Sequence, residues 1–491
     1  MHFFKKILLT AILLLPFITQ AQTGELPDKS STNETQELEQ LLELLQEQTS
    51  IATKTRLNAD YVPGMVTVLH GSDLEDRGVR TVWEALGLVP GVELSIEETG
   101  RKQVVVRGIG RTYASGNIQI QLNGASLNTA HIAHANPVMN IPIEQVERIE
   151  VIRGHGSAIH GEFALAGVLN VITHKEESKI FVNGGENSSL GAGFMVSYND
   201  EQSPLQMNLN IAGWETDGPD IIAGPDELYY EGPSYIAVSN APGPTNEMAE
   251  DKTAIFSLSY EDFSFTAHLL KEGYGDHFGR NQYLPPDEKR IVTRNEYKTL
   301  EIKQNLNINN NWNAELYVGW QEKKQTKDDL YAGPELHYPP DPPPDPSIFY
   351  HVDTLYIEKR NNIGVDIKWS DKASHNVLVG FEYVDITVED ELNEYYRSDT
   401  NTLIFPWDWI DTDKRRRIIS TTLQDEYLIR NDLTITLGLR HDEYNDIDSE
   451  ISPRIAAVWR KDQNNIYKAQ YARAFRPPTF YEMAAAIGDV E

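Results

Sequence analysis

The sequence predicts a mixed fold in which a compact α+β unit precedes a long series of antiparallel strands. Two observations favour this fold class. Residues 143–174 form a pattern of strand, glycine loop and strand, and after residue 179 apolar and polar residues alternate in segment after segment. Alternation with a period of two is typical of strands that have one apolar and one polar face. With 491 residues, the chain is long enough for two or three domains.

Residues 143–174 are the element around which the rest is organised. Ile149 and Val151 fall on one face of its first strand, and the alternating charged residues fall on the other. Gly154, Gly156 and Gly161 then allow a tight turn, because glycine adopts positive φ freely, and residues 164–173 return as an apolar strand. Four residues separate the second and third glycines instead of two, and no Gly-Lys-Ser/Thr follows. The spacing therefore excludes both common nucleotide-binding loops.

The amino terminus reads as a secretory signal. Lys5 and Lys6 precede an apolar stretch at residues 7–18, and Ala21 ends a small-residue cleavage site. No later stretch holds enough consecutive apolar residues to cross a membrane as a helix. A mature chain embedded in a membrane would therefore need to be a closed barrel. The mean hydropathy of -0.44 fits such a barrel and a soluble secreted β-protein equally.

Composition excludes several classes of site. The chain has no cysteine, so a disulfide framework and a thiolate metal site are both ruled out. Its net charge of -31 argues against nucleic acid as a partner, because nucleic-acid binding requires basic surfaces. Carboxylates are plentiful, but none stands in a catalytic motif. We therefore expect no enzyme activity, no cofactor and no resident metal.

The second part of the chain alternates clearly at residues 205–211, 313–320 and 433–440. Short connections are predicted at residues 309–311, 371–373 and 464–465, and long ones at 218–251 and 338–346. Short turns at one end and long loops at the other are typical of membrane barrels. A soluble β-sandwich would show the same alternation, so this pattern leaves both architectures open.

Several motifs, in order, resemble those of TonB-dependent outer-membrane receptors. The first group comprises the V-P-G-V turn at residues 89–92, V-R-G at 106–108, L-N-G at 122–124 and R-I-E-V-I-R-G at 148–154. A later group lies at residues 424–427, 437–440, 452–455 and 474–480. His155 and His160 stand where the family usually has proline and tyrosine, and Asn123 replaces its usual aspartate. The resemblance covers nearly the whole mature chain.

The resemblance implies a globular α+β plug domain inside a transmembrane antiparallel β-barrel. Residues 1–21 would be the signal peptide, 22–58 a periplasmic linker with a TonB box, 59–174 the plug and 179–491 a partial barrel. Receptors of this kind have about 22 strands, and residues 179–491 supply about 13 at roughly 24 residues for each strand and its loop. The sequence is therefore expected to be a C-terminally truncated barrel.

The function implied by the resemblance is energised import across the outer membrane of a Gram-negative bacterium. The ligand would be a scarce nutrient such as a siderophore, cobalamin or haem. The other partners would be TonB, on the periplasmic side, and outer-membrane lipid with lipopolysaccharide. A passive outer-membrane barrel, such as a porin or adhesin, and a secreted β-rich binding protein remain as alternatives.

Three sets of residues follow from the resemblance. A TonB box would pair edge-on with a strand of the partner, and a charge-assisted lock would hold the plug to barrel carboxylates. The two histidines of the third set, three residues apart, would alternatively hold a metal or haem. The sets are Thr49, Ser50, Ile51, Ala52 and Thr53 for the box; Arg107 and Arg153 for the lock; and Arg111, Thr112, Tyr113, Asn128, His131, His134 and Asn136 for the ligand.

Overall fold

The computed structural model describes residues 48–49, 57–58, 64–109, 114–200, 202–335, 345, 348–371, 373–406, 410, 412, 414–462 and 465–488. Two short strands, β1 (Gln48–Thr49) and β2 (Leu57–Asn58), pair antiparallel at its start. Within these ranges, no helix combines the length and the apolar character that a membrane crossing demands.

Residues 64–174, which we call the plug, form an α+β unit around a five-stranded sheet with the order β3-β8-β9-β6-β7. β6 and β9 are parallel and the other pairs of this sheet are antiparallel, while β4 and β5 form a separate hairpin. The elements in chain order are β3 (Met65–His70), α1 (Gly71–Asp76), α2 (Val82–Leu86), β4 (Val92–Ile96), β5 (Lys102–Val106), β6 (Ile118–Leu122), β7 (Ala125–Ser126), α3 (Asn136–Met139), β8 (Val146–Arg153), α4 (Ser157–His160) and β9 (Gly167–Thr173).

The predicted strand–glycine loop–strand element is β8, α4 and β9. Gly154 and Gly161 have φ of 145° and 70°, so both use the conformational freedom that the sequence predicted for them. Gly156 serves a different purpose, because a Cβ there would lie 2.7 Å from a methyl group of Val168. At Gly156 the packing therefore requires small size and not positive φ.

The remaining strands build one 14-stranded antiparallel sheet, which we call the wall. Each strand of the wall pairs with the next wall strand in sequence, with one exception at β20. The last residues of β20 pair with β21, and its residues 375–387 pair with β22. The elements are β10 (Lys179–Gly184), β11 (Leu190–Asn199), β12 (Leu205–Thr216), β13 (Ile222–Ala223), α5 (Glu227–Glu231), α6 (Pro233–Ile236), β14 (Gly243–Pro244), β15 (Ala249–Tyr260), β16 (Phe263–Tyr274), β17 (Thr293–Asn307), β18 (Trp312–Pro334), β19 (Phe349–Ser370), β20 (His375–Arg397), β21 (Thr402–Pro406), β22 (Arg415–Arg430), β23 (Leu433–Tyr444), β24 (Glu450–Asp462), β25 (Asn465–Ala472) and α7 (Phe480–Gly488). β13 and β14 pair with each other outside the wall.

The connections differ in length at the two ends of the strands. Residues 308–311 make a short turn, only four residues lie between the end of β19 and the start of β20, and two lie between β24 and β25, which agrees with the short connections that the sequence predicted. Residues 217–248, which contain β13, α5, α6 and β14, form a long connection at the opposite end. The proline-rich segment at 338–346 lies almost entirely outside the described residues. We refer below to the short-turn end and the long-loop end of the wall.

The wall has its polar face toward the plug and its apolar face outward. On β23, Arg440 and Asp442 are buried while Leu437 and Leu439 are about half exposed. The same inversion holds along the other strands, whose exposed apolar residues include Leu300, Ile302, Leu316, Val318, Ile363, Phe381, Ile419, Leu423, Ile451 and Ile455. A soluble sandwich has its apolar faces inside, so this distribution contradicts the sandwich alternative and agrees with the predicted fold class.

The plug itself has an ordinary apolar core, and one glycine is required for its packing. A Cβ on Gly71 would lie 1.7 Å from the backbone oxygen of Val146, at the junction of α1 with β8. We therefore predict that Gly71→Ala lowers the free energy of unfolding by about 1–3 kcal/mol, the range for overpacking, although alanine favours a helix. Equilibrium urea unfolding measures this loss. Gly184→Ala is the matched control, because a Cβ there meets nothing within 4 Å, and an equal loss in both variants would contradict the packing argument.

Candidate functional site

Six inward-facing residues on β18 and β19 form a patch that contacts the plug, and we call this patch the clamp. They are Gln321, Lys323 and Gln325 on β18 and Tyr356, Glu358 and Arg360 on β19. In the strand register they form three directly opposed pairs, Gln321 with Arg360, Lys323 with Glu358 and Gln325 with Tyr356. Because opposed residues of antiparallel strands point to the same face, the pairing brings all six onto one patch.

The side chains of the clamp bind mainly the backbone of the loop that follows β7. The hydrogen bonds are Gln321 Nε2 to Ser126 O at 3.0 Å, Lys323 Nζ to Asn128 O at 2.7 Å, Ala130 N to Glu358 Oε2 at 2.8 Å and His131 N to Glu358 Oε2 at 3.2 Å. Tyr356 donates its hydroxyl to the same Glu358 oxygen at 3.0 Å. Backbone groups that no plug element pairs are thus satisfied by the wall.

Charge compensation accompanies these contacts. Lys323 and Glu358 are 3.6 Å apart, and their side chains are only 2 % and 1 % exposed. Arg360 forms a second buried ion pair with Glu162 of the plug at 3.1 Å. Removing one member of a buried pair leaves the other charge uncompensated, which costs several kcal/mol. With the plug seated, each of these three clamp charges therefore has a charged partner.

A second polar contact joins the plug to β12, β15 and β16. The ammonium of the half-buried Lys102 lies over the Trp83 and Trp214 rings, 5.2 and 5.7 Å from their centroids, and donates to Asn140 Oδ1. Asn140 in turn donates to Glu272 of the wall. Burial lowers the pKa of Lys102, against the attraction of Glu272 and Asp251. Cation–π contact and hydrogen bonds replace the water that this ammonium has lost.

Helix α7 closes over the same plug loop. Thr479 Oγ1 accepts from Glu482 N at 3.1 Å and Glu482 Oε2 accepts from Thr479 N at 2.8 Å, which is the reciprocal capping box of a helix start. Phe480 N then donates to Ala130 O at 2.9 Å, and Tyr481 N to His131 O at 3.2 Å. The plug loop is held by the clamp on one side and by α7 on another.

The predicted ligand residues fall into two groups. Arg111, Thr112 and Tyr113 lie outside the described residues. Asn128, His134 and Asn136 are buried, with 0 %, 4 % and 2 % of their surface exposed, and the Asn128 side chain bonds three backbone groups of the plug. They are thus buried in this conformation, and their role in ligand binding stays a prediction.

His131 is the described candidate that keeps partial exposure. Its ring stacks on Tyr356 with centroids 3.9 Å apart and meets Tyr481 edge-on at 6.3 Å. Burial lowers the pKa of His131 to about 3, and the pKa of His134 is also held well below its usual value. Both imidazoles are therefore neutral at physiological pH. Among the described residues, no group of three or more acidic or histidine side chains is arranged to hold a metal ion.

The predicted lock arginines make their contacts inside the plug. Arg107 donates to the backbone oxygen of Arg153 at 3.0 Å, and Arg153 donates to Pro90 O at 2.6 Å and Thr67 Oγ1 at 3.1 Å. Within the described ranges, neither arginine forms an ion pair with a wall carboxylate. In this conformation two plug–wall ion pairs have the cation on the wall, Arg360 with Glu162 and Lys179 with Glu75. The locking role of Arg107 and Arg153 stays a prediction.

The TonB-box candidate lies almost wholly outside the described residues. Thr49 alone is described, as the second residue of β1, and residues 50–53 are not.

Sequence reasoning missed the clamp residues and Glu162. Alternation in residues 320–327 does mark one face of β18 as Gln321, Lys323 and Gln325. The partners on the plug lie about 200 residues earlier, so no local pattern could reveal them.

A polar cavity of about 650 Å³ lies between the plug and the wall, on the short-turn side of the clamp. On the plug side it is lined by amides of β6 and β9, including Gln121 and Asn170, and on the wall side by β17 to β20 and β23. Lysine, arginine and carboxylate side chains alternate along its wall side. The cavity reaches Lys368, two residues before β19 ends at a short turn.

Comparison with known families agrees with this architecture. The model of the TonB-dependent receptor plug domain matches residues 58–168, and that of the TonB-dependent receptor-like β-barrel matches residues 242–489, just over half of the chain. The chain belongs to the TonB-dependent receptor family. This family consists of receptors and transporters and not of enzymes, and the domain boundaries given above stay predictions.

Two curated relatives illustrate the range of the similarity. The vitamin B12 transporter BtuB of Vibrio vulnificus is 35% identical over 130 residues, which cover 26% of this chain and 20% of the relative. The iron-regulated outer membrane virulence protein of Vibrio cholerae is 23% identical over 459 residues, covering 87% of this chain and 59% of the relative. The chain thus spans well under two thirds of the length of either relative.

Solved structures share the fold. FpvA of Pseudomonas aeruginosa, determined with bound pyoverdine and iron, matches with a TM-score of 0.65 and 14% identity over 88% of this chain and 59% of its own. The siderophore receptor PirA of Acinetobacter baumannii matches with a TM-score of 0.62 and 18% identity over 85% and 62% of the two chains. At such low identity the match concerns the fold alone.

The clamp generates a first prediction for this interface. Glu358→Ala should lower the free energy of unfolding by about 3–5 kcal/mol, because it leaves the buried Lys323 ammonium without its carboxylate and two plug N–H groups without their acceptor. Glu389→Ala removes the partner of Lys359 from an exposed ion pair of similar length, and should cost less than about 1 kcal/mol. Urea unfolding measures the free energy lost in each variant. Equal losses would show that the buried Glu358 contacts stabilise the fold no more than an exposed ion pair does.

The neutral histidines generate a second prediction, which concerns pH. Unfolded histidine takes up a proton near pH 6.5, whereas His134 in the folded plug does not until its lowered pKa is reached. The unfolded state therefore binds more protons below about pH 6.5, and stability should fall as the pH is lowered, by up to about 1.4 kcal/mol per pH unit for each such histidine. His134→Gln should make this fall shallower and leave stability at pH 8 nearly unchanged. Thermal unfolding between pH 4.5 and 8 measures both slopes, and identical slopes would contradict the assignment.

Proposed function

We propose that the protein is an outer-membrane receptor that binds a scarce nutrient outside the cell and passes it to the periplasm with energy supplied by TonB. The observation that carries this proposal is a seated plug held to a polar wall face by buried, charge-compensated contacts. A lumen obstructed in this way suits gated passage and not free diffusion. The passive porin alternative is accordingly disfavoured.

The outward face of the wall supports the membrane location. Its apolar residues form a band along the strands, which is what lipid requires. Aromatic side chains gather near the short turns: Trp312 and Trp369 lie 6.3 Å apart, and Trp459 stacks on Tyr467 at 5.4 Å. Tyrosine and tryptophan are enriched where lipid tails meet water. We infer that the short-turn end faces the periplasm and the long-loop end faces outside.

For the ligand, we propose an iron chelate of the siderophore type, with cobalamin or haem as the alternatives. By name, PirA is a siderophore receptor, PfeA is a ferric enterobactin receptor and BtuB is a vitamin B12 transporter, and FpvA was determined with pyoverdine and iron. On this chain, the proposed ligand contacts are His131, whose ring meets Tyr356 and Tyr481, and three residues earlier in the sequence, Arg111, Thr112 and Tyr113. Tyrosine and histidine rings offer flat surfaces for a large planar or aromatic ligand.

The energy for import is proposed to come from the partner, because the sequence contains no nucleotide-binding loop. TonB would pair with an extended segment, for which Thr49, Ser50, Ile51, Ala52 and Thr53 are the proposed residues. Outer-membrane lipid and lipopolysaccharide would surround the apolar band.

Uptake measurements test the proposal. The full-length receptor is expressed in cells with and without TonB, and accumulation and surface binding of radiolabelled ferric enterobactin, cobalamin and haem are measured separately. We expect one of these probes to bind in both strains and to accumulate only where TonB is present. Ile51→Pro should abolish accumulation and preserve binding, because proline cannot join a strand ladder, while Ser30→Pro, in the same linker but outside the box, is the control. Accumulation that persists without TonB would refute the energised mechanism.

A further inference from the structure

The plug contacts the wall very differently on its two sides. Toward β15, β16 and β17 the interface is dry, because Ile255, Leu270 and Tyr297 of the wall are buried in the same apolar cluster as the plug core. Thr253 also donates to Gln145 at 2.6 Å, and Asn183 of β10 donates to Glu144 at 2.6 Å. The plug is therefore firmly attached on this side.

Toward β17–β20, on the short-turn side of the clamp, the wall and the plug border the 650 Å³ cavity. The cavity extends from the register level of Gln321 and Arg360 to that of Asn313 and Lys368. Eight residues of strand separate these levels, which corresponds to about 25 Å along the wall. Ligand pockets have volumes of about 300–1,000 Å³, so the space suffices for a solute the size of a metal chelate.

The lining of the cavity is polar on both sides. Plug amides such as Gln121 and Asn170 face wall groups of both signs, among them Lys303, paired with Glu301 at 2.6 Å. Amides and paired charges can exchange hydrogen bonds with a hydrated solute without holding it tightly, because lining charges such as Lys303 already have a charged partner. Such a lining suits passage better than storage.

We propose that this cavity is the periplasmic half of the transport route, so that a polar chelate crosses along the β6–β9 face of the plug beside β17–β20. The clamp lies on the long-loop side of the cavity and forms the barrier to passage. The plug stays attached to β10–β16 while the clamp opens, and it does not leave the lumen as a whole. This inference rests on the proposed function and adds to it the side on which the route opens.

The absence of cysteine from the chain permits a direct test. One double variant, Ser126→Cys with Gln321→Cys, places a thiol on each side of the clamp, where the native groups are joined by a 3.0 Å hydrogen bond. The matched control, Glu144→Cys with Asn183→Cys, does the same on the attached side, where the native groups are 2.6 Å apart. Each is treated in cells with a bifunctional thiol reagent whose spacer contains a reducible disulfide. Binding and accumulation of radiolabelled ferric enterobactin and cobalamin are measured before cross-linking, after it, and after reduction.

The expected result is that cross-linking the clamp pair reduces accumulation to the level of cells without TonB, that reduction restores it, and that the control pair accumulates as before. Binding should persist in both. Accumulation through a cross-linked clamp, or its loss when only the control pair is cross-linked, would overturn the inference, and loss in both would show that the whole plug must move. If the untreated proteins bind neither probe or accumulate them without TonB, the proposed function itself fails, and the two failures are thereby distinguished.

Discussion

The structure depends on one constraint, which is that the polar inner face of the wall must find partners. The strands carry lysine, arginine, glutamate and amide side chains inward, and many of these are buried. Lys323 and Glu358 are almost inaccessible to solvent, and Arg416 is fully buried between Asp446 and the rings of Tyr444 and Phe480. A buried charge without a partner costs several kcal/mol. Wall carboxylates pair Lys323 and Arg416, while the plug supplies Glu162 to Arg360 and backbone groups to Lys323 and Glu358.

Two kinds of interior thus coexist in one chain. The plug has a conventional apolar core, in which α1, α2 and the five-stranded sheet bury valine, isoleucine and leucine. The interface between plug and wall is instead a set of hydrogen bonds and ion pairs with small apolar patches. Apolar burial is non-directional and tolerant, whereas hydrogen bonds and ion pairs require specific geometry. An interface of the second kind can be rigid when closed and still separable, because water can replace each contact as it breaks.

This division agrees with membership of the TonB-dependent receptor family and with the proposed gating. The clamp holds the plug loop mainly through hydrogen bonds to backbone groups, and Ala130 of the loop and Tyr356 of the clamp add contacts in a buried apolar cluster. On the β15–β17 side, apolar contacts make separation more costly. The asymmetry between these sides is a property of residues far apart in sequence, which the tertiary structure brings together.

The sequence by itself determined the class of fold and much of the order of its elements. Period-two alternation fixed which residues share a face of each strand, and the glycines at 154 and 161 fixed a turn, because both are consequences of local backbone geometry. The sequence could not decide which face points inward, since alternation is the same in a sandwich and in a barrel. Nor could it show that Asn128, His134 and Asn136 would be buried or that Arg360 would meet Glu162, because these contacts join residues that are far apart in the chain. Only the packing of the wall against the plug decided them, by bringing charges from both parts into a space with too little water to solvate them.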